Sequence, residues 1–215
     1  MKWLAILGKA LISIGVGFLL FVVWILWGTG LYTEREQRRL DREFDALPAL
    51  ERTVGRDGSN NGGPPRSYRP EPGEPVFRIA IPAIELRRVV VEGVDSEDLR
   101  KGPGHYPYCR SGFDLCTKGF KTAWPGEDGR VVISGHRTTY GAPFWDLDKL
   151  RFGDAIEVET RWGHFTYLVV EKAVVDDTDS SIVIPGDGAE VVLTTCNPRF
   201  SAQQRLIVYA ELEEA

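Results

Sequence analysis

A cysteine, a histidine and an arginine in this chain each stand where an apolar, strand-like run meets a polar loop. Cys196 ends the run Val191-Val192-Leu193-Thr194-Thr195 and is followed by Asn197-Pro198. His136 ends the run Val131-Val132-Ile133-Ser134-Gly135 and opens into Arg137-Thr138-Thr139-Tyr140-Gly141. Arg205 begins the last run, nine positions past Cys196. Strand ends and their loops are where a rigid scaffold presents reactive groups. A thiolate is the working nucleophile, yet a free thiol is only about 3% ionised at pH 7. A histidine is then about a quarter protonated, and its imidazolium can hand a proton to a leaving amine. An arginine cannot act as a base, but it donates well to a carbonyl oxygen as negative charge develops there. Together the three types suit nucleophilic acyl transfer.

Each residue also has a plainer reading. Cysteine is often a small buried hydrophobe. An arginine at a strand end is usually just solvated. His136 favours the chemical reading, because two strand ends then carry complementary groups. The other histidines differ: His105 follows Gly104 in a Gly/Pro-rich loop, and His164 follows Gly163 in what reads as a hairpin turn, so both are expected at the surface. Tyr140, four residues past His136, either lines the cleft or packs its loop.

Three cysteines make an odd count. In an external domain two are expected to pair and one to stay reactive. Cys109 and Cys116 share a loop and are close enough in sequence for a turn to bring them to disulfide distance. Two free loop thiols, or a zinc site with His105, are the alternatives, and the usual paired zinc spacing is absent. The expectation is a Cys109–Cys116 disulfide and a free Cys196, with no metal.

The elements that must position these groups are mostly strands. Residues 76–81, 86–94, 130–134, 154–160, 164–175, 190–195 and 204–212 read as β, by alternation or by Val/Ile-rich runs. Leu206, Val208, Ala210 and Leu212 fall on one face of the last. Between 76 and 215 the helical patterns are few, 96–101 and 144–150. Many short strands with Gly/Pro-rich joints make an all-β sandwich or closed barrel over 76–215.

Ahead of it, residues 10–32 carry no charge, and Leu11 to Trp27 is nearly all apolar. That is long enough to cross a bilayer, with Trp24, Trp27 and Tyr32 as an aromatic belt. A cleaved signal peptide would have a shorter apolar region and a small-residue cleavage site. Residues 1–9 are then the short cytoplasmic end, 33–54 a charged juxtamembrane helix with Leu40, Phe44 and Leu47 in a narrow stripe, and 55–75 a flexible linker. Positive charges after the span oppose an external domain, but long domains translocate largely regardless of flanking charge. The net charge of −5, with signs intermixed, gives no basic stripe for nucleic acid.

Taken jointly, these motifs resemble the sortase family. Its signature is Thr-Leu-x-Thr-Cys at a strand end, a histidine earlier in the chain and an arginine on the next strand. Here Val192-Leu193-Thr194-Thr195-Cys196 departs only in its first residue. Residues Gly135 to Phe144 and Asn197 to Arg205 are similar to the histidine region and the Cys–Arg loop of class E sortases. The resemblance implies an eight-stranded closed barrel on an N-terminal membrane anchor, with the catalytic domain outside the cell. It implies catalytic His136, Cys196 and Arg205, substrate-binding Tyr140 and Thr195, and no cofactor. The implied reaction cleaves a C-terminal sorting signal, Leu-Ala-x-Thr-Gly in class E, between Thr and Gly. The secreted protein passes through a Cys196 thioester to a peptidoglycan-precursor amine, such as a lipid-linked one, in a Gram-positive cell wall. Papain-like enzymes place cysteine before histidine, and L,D-transpeptidases resemble Ser-His-Gly-Cys at the nucleophile; neither pattern is present. A tethered, non-enzymatic β-domain with an inert Cys196 is the other alternative.

Overall fold

Valine and isoleucine runs decide the architecture, because they form strands that need cover on one face or both. In the computed structural model, which describes residues 2–24, 28–53, 62–107, 122–179, 182, 184 and 188–213, eight strands close into a barrel. They are β1 (Pro75–Ile81), β2 (Leu86–Glu92), β3 (Gly104–His105), β4 (Gly129–Ser134), β5 (Ala155–Thr160), β6 (Gly163–Asp176), β7 (Ala189–Asn197) and β8 (Gln204–Leu212), in the spatial order β1-β2-β3-β4-β7-β8-β6-β5. β5 pairs with β1 to complete the ring. Most pairings are antiparallel; β2–β3 and β4–β7 are parallel.

Phe77, Ile79, Ile81, Val90, Val131, Ile133, Val191, Leu193 and Val208 fill the interior with Phe144, Leu147 and Tyr167. The runs Val89-Val90-Val91 and Val131-Val132-Ile133 do not alternate in polarity, because their outer faces are covered as well. Outside β2, Val89 and Val91 lie under Leu40. Outside β4 and β7, Val132 and Val192 pack with Ile182 and Ile207.

Two long helices precede the barrel. α1 (Lys2–Val23) contains one stretch, Ala5–Val23, that is long and apolar enough to cross a membrane. Its side chains, among them Leu11, Phe18 and Leu20, are exposed. α2 (Thr29–Ala46) begins before the expected helix over 33–54 and stops short of its end, two residues ahead of Pro48. Its stripe of Leu40 and Phe44 is buried against the barrel, which contributes about 1.5–3 kcal/mol for each side chain. The Gln37 side-chain amide pairs with both backbone groups of Val89, at 3.0 and 2.9 Å. The buried Arg78 guanidinium reaches Asp41 at 2.7 Å, Asp45 at 2.6 Å and Glu159 at 3.2 Å. A charged helix that reads as membrane-adjacent is therefore docked along β1 and β2.

The expected linker meets a different arrangement where it is described. Gly62, Gly63 and Pro64 are buried, Thr53 N–H donates to Gly63 O at 2.9 Å, and the Tyr68 ring packs on Trp124 and Trp162 at 5.1 and 5.7 Å. One aromatic side chain and a few backbone hydrogen bonds fasten a segment whose composition promises no structure.

His105 corrects a second expectation. It is fully buried, not at the surface. Its ring stacks on Trp124 at 4.6 Å, Nδ1 meets Glu92 Oε2 at 2.9 Å and Nε2 meets Ala123 O at 3.2 Å. The cause is β3, a strand of two residues too short to leave a periodic trace. His164 is exposed at the β5–β6 hairpin, as expected. The expected helices shrink to α3 (Ser96–Leu99) and a 3₁₀ turn at Leu147–Lys149. Cys109 and Cys116 lie outside the described residues.

Candidate active site

Parallel pairing brings the histidine and the cysteine strand ends together. β4 and β7 match Val131 with Val191, Ile133 with Leu193 and Ser134 with Thr194. Gly135 N–H then donates to Thr194 O at 3.1 Å. His136 and Cys196 each come two residues after the Ser134–Thr194 pair, at the same level on strands about 5 Å apart. On the other side β8 runs antiparallel, with Arg205 directly opposite Cys196. Strand alternation puts Cys196 on the outer face with Val192, and Arg205 there with Ile207. Val132, Val192, Ile207, Tyr106 and Tyr209 form an apolar floor beyond them.

The loop after His136 is a tight one. Phe144 N–H donates to His136 O at 3.1 Å, and Ala142 N–H to Thr139 O at 2.9 Å. Tyr140, Gly141 and Ala142 all have left-handed backbones, with φ of 51, 72 and 42°. Only the glycine adopts this freely. Gly135 is needed for space: a Cβ there would stand 2.6 Å from the buried Phe144 ring. The Tyr140 ring lies 5.0 Å from the His136 ring, tilted by 34°.

Thr195 does not meet the expectation of a substrate contact. It is 2% exposed, and its hydroxyl donates to Gly135 O at 2.7 Å, the carbonyl just before His136. Successive strand residues point to opposite faces, so its side chain is turned away from that of Cys196. Thr195 locks the two strand ends together. Arg137 does similar work from the loop. It is buried, donates to Cys196 O at 3.3 Å and Asn197 Oδ1 at 2.8 Å, and pairs with Asp148 at 3.1 Å. Arg199 adds an outer strap to Trp145 O at 3.0 Å and to Asp148 at 3.0 Å. Sequence reasoning gave Arg137 no role. Its one visible signal was a basic residue immediately after the histidine.

Cys196 is half-buried and carries a free thiol. Arg205 Nη1 donates to Ala202 O at 2.9 Å and Gln204 O at 3.1 Å, which fixes the plane of the guanidinium beside the thiol-bearing residue. His136 Nε2 is buried and, among the described residues, has no hydrogen-bond partner. Such an orphan is costly unless a reacting group comes to it. Burial lowers the His136 pKa from its ordinary 6.5, and the nearby Arg100 charge lowers it further. Between that lowered value and 6.5 the unfolded chain holds a proton the folded one does not. This contribution to stability is therefore complete above 6.5 and is lost as pH falls through the window. Removing the charge with Arg100→Gln raises the His136 pKa. The acid limb of the kcat/KM–pH profile then moves to higher pH; an unchanged limb would exclude Arg100 as the cause.

A family model described as "Sortase domain" matches residues 79–213. Sortase D of Bacillus subtilis is 32% identical over 184 residues, covering 83% of this chain and 84% of that protein. Sortase SrtE1 of Streptomyces coelicolor is 29% identical across 97% of this chain, which spans only 56% of SrtE1. The solved structure of sortase E1 from Streptomyces coelicolor, with a tripeptide in its active site, is 31% identical. It superposes with a TM-score of 0.59 over 67% of this chain and 91% of that one. A matched barrel over more than half the chain, the 32% relative and the strand-end cysteine agree, and the chain belongs to the sortase family of cysteine transpeptidases.

Proposed function

We propose that this enzyme is a membrane-anchored, extracytoplasmic sortase of the class E kind, acting on a Leu-Ala-x-Thr-Gly sorting signal. The observation that carries the mechanism is that β4 and β7 pair in register up to Ser134–Thr194, with His136 and Cys196 each two residues beyond, and that Arg205 lies opposite Cys196 across β8. In the first half-reaction the Cys196 thiolate attacks the threonine carbonyl carbon. Arg205 donates to the oxygen as it gains negative charge. The imidazolium of His136 protonates the glycine nitrogen as the C–N bond breaks, leaving a thioester and a neutral imidazole. In the second, an amine of a peptidoglycan precursor attacks the thioester, His136 takes its proton, and Cys196 leaves as thiolate. Without an amine, water resolves the thioester and the product is the free acid. The apolar stretch Ala5–Val23 serves as the anchor, and a Cys109–Cys116 disulfide, readable by peptide mapping without reductant, leaves Cys196 as the working thiol.

Mass spectrometry of the enzyme with a Leu-Ala-x-Thr-Gly peptide tests this reading. The expected result is Cys196 acylated through the threonine carbonyl, then peptide–amine product when an amine is added. Cleavage at another bond, or turnover by Cys196→Ala, would overturn it.

Tyr140 is the proposed reader of the alanine position. Its phenol can hydrogen-bond substrate backbone and pack on a small methyl group, whereas proline brings a bulkier ring and no N–H. Discrimination of about 1–3 kcal/mol suits one such contact. In competition between Leu-Ala-x-Thr-Gly and Leu-Pro-x-Thr-Gly peptides, Tyr140→Ala is expected to lose most of the preference. A wild-type ratio of kcat/KM values in that variant would remove Tyr140 from the specificity argument.

A further inference from the structure

The docked helix α2 reaches the loop that carries His136. Tyr140 N–H donates to Thr29 Oγ1 at 3.2 Å. One turn further on, Thr33 is buried and its hydroxyl donates to Arg100 O at 2.8 Å. The two segments lie close together: a Cβ on Gly30 would lie 3.7 Å from Gly141 N, and one on Gly141 would lie 3.6 Å from Thr33 Cγ2. Arg100 stands over the Tyr140 ring at 5.8 Å, and that ring faces His136. A continuous set of contacts thus runs from the first turn of α2 to the imidazole.

We propose that α2 is a positioning element of the active site, in which the Thr29 hydroxyl holds Tyr140, and Tyr140 in turn holds His136. The inference rests on the reading of His136 as the proton carrier. Tyr140 needs such support, since a tyrosine resists the left-handed backbone it adopts here. Thr29 accepts the Tyr140 N–H from a helix that is fixed independently. Farther along, Gln37 grips Val89, Leu40 packs on Val89 and Val91, and Asp41 and Asp45 hold Arg78. Loss of the Thr29 contact therefore frees the loop without undocking the helix. It follows that residues 79–213, the span matched by the family, lack this positioning element.

The test uses the full chain in detergent micelles, with Thr29→Val, Thr29→Ser and His136→Ala assayed side by side on the sorting peptide. Thr29→Val is nearly isosteric but has no hydroxyl. It is expected to lower kcat about tenfold, with the melting midpoint little changed, because small displacements of a catalytic group are costly. Thr29→Ser restores the acceptor and is expected to recover most of the rate. If His136→Ala is inactive while Thr29→Val turns over like wild type, the reading of His136 stands and the inference fails. Equal impairment of the serine and valine variants also overturns it, since the hydroxyl would then be irrelevant. If His136→Ala retains activity, the catalytic reading and the inference fall together.

Discussion

Arg205→Lys is expected to lower kcat by about 10²-fold or more, with KM less affected and the barrel intact. The substitution preserves the charge, so a purely electrostatic role would leave most of the activity. Two features argue otherwise. Arg205 sits opposite Cys196 across β7 and β8, and Nη1 is already committed to the carbonyls of Ala202 and Gln204. Those two bonds orient a planar fork so that its remaining N–H groups keep a fixed direction. A lysine ammonium is a compact point donor on a flexible stem, and those carbonyls would draw it in. Loss of one well-placed donor to a developing oxyanion is worth about 2.7–4 kcal/mol in the barrier. Steady-state kinetics, with thermal unfolding as the control, check this. A lysine variant turning over near the wild-type rate would reduce Arg205 to a general cation.

The largest effect on stability is expected at His105, far from catalysis in role. His105→Ala should destabilise the fold by about 3–5 kcal/mol, because it leaves the buried Glu92 carboxyl without its partner. In a chain of this size that is a fall in Tm of about 10 °C. Both imidazole nitrogens face oxygens, Glu92 Oε2 and Ala123 O. The pair also ties His105 to Ala123, on either side of the segment that holds Cys109 and Cys116. Replacing both partners by apolar residues of similar size should cost much less than His105→Ala. Thermal or urea unfolding of single and double variants decides it. If the double variant is as unstable as His105→Ala, packing against Trp124 matters more than the pair.

The strands were legible because their signal is distributed. Alternation in Ala155–Thr160 and on one face of Gln204–Leu212 survives any single ambiguous residue. Cys196 and His136 were legible for a different reason: each closes an apolar run, and position at a strand end is a local property. Their proximity was not local. It depends on β4 and β7 lying parallel and in register, which no spacing between residues 136 and 196 encodes. His105 was misread because a two-residue strand has no period, and a Gly/Pro-rich neighbourhood looks exposed. Thr195 was given a substrate contact through its motif, yet the same alternation that turns Cys196 outward turns Thr195 inward. The contacts that Arg100 and Thr29 make with the Tyr140 loop left no trace in the sequence, because they join segments far apart in the chain.

The Thr29–Tyr140 contact also sets how high the reactive centre can ride. Thr29 is only six residues beyond Val23, the end of the apolar stretch. Six residues reach at most about 20 Å even when drawn straight. With that stretch in the bilayer, the histidine loop cannot rise farther than this above the hydrocarbon edge, and the head groups already fill roughly 6 Å of the gap. An enzyme anchored in this way would do its chemistry in a thin layer next to the lipid. A protein still held in the membrane by its own tail, and an acceptor carried on a lipid, both present themselves in that layer. Molecules free in the bulk do not; they would meet such an anchored enzyme in three dimensions, and reactants held in the membrane would meet it in two.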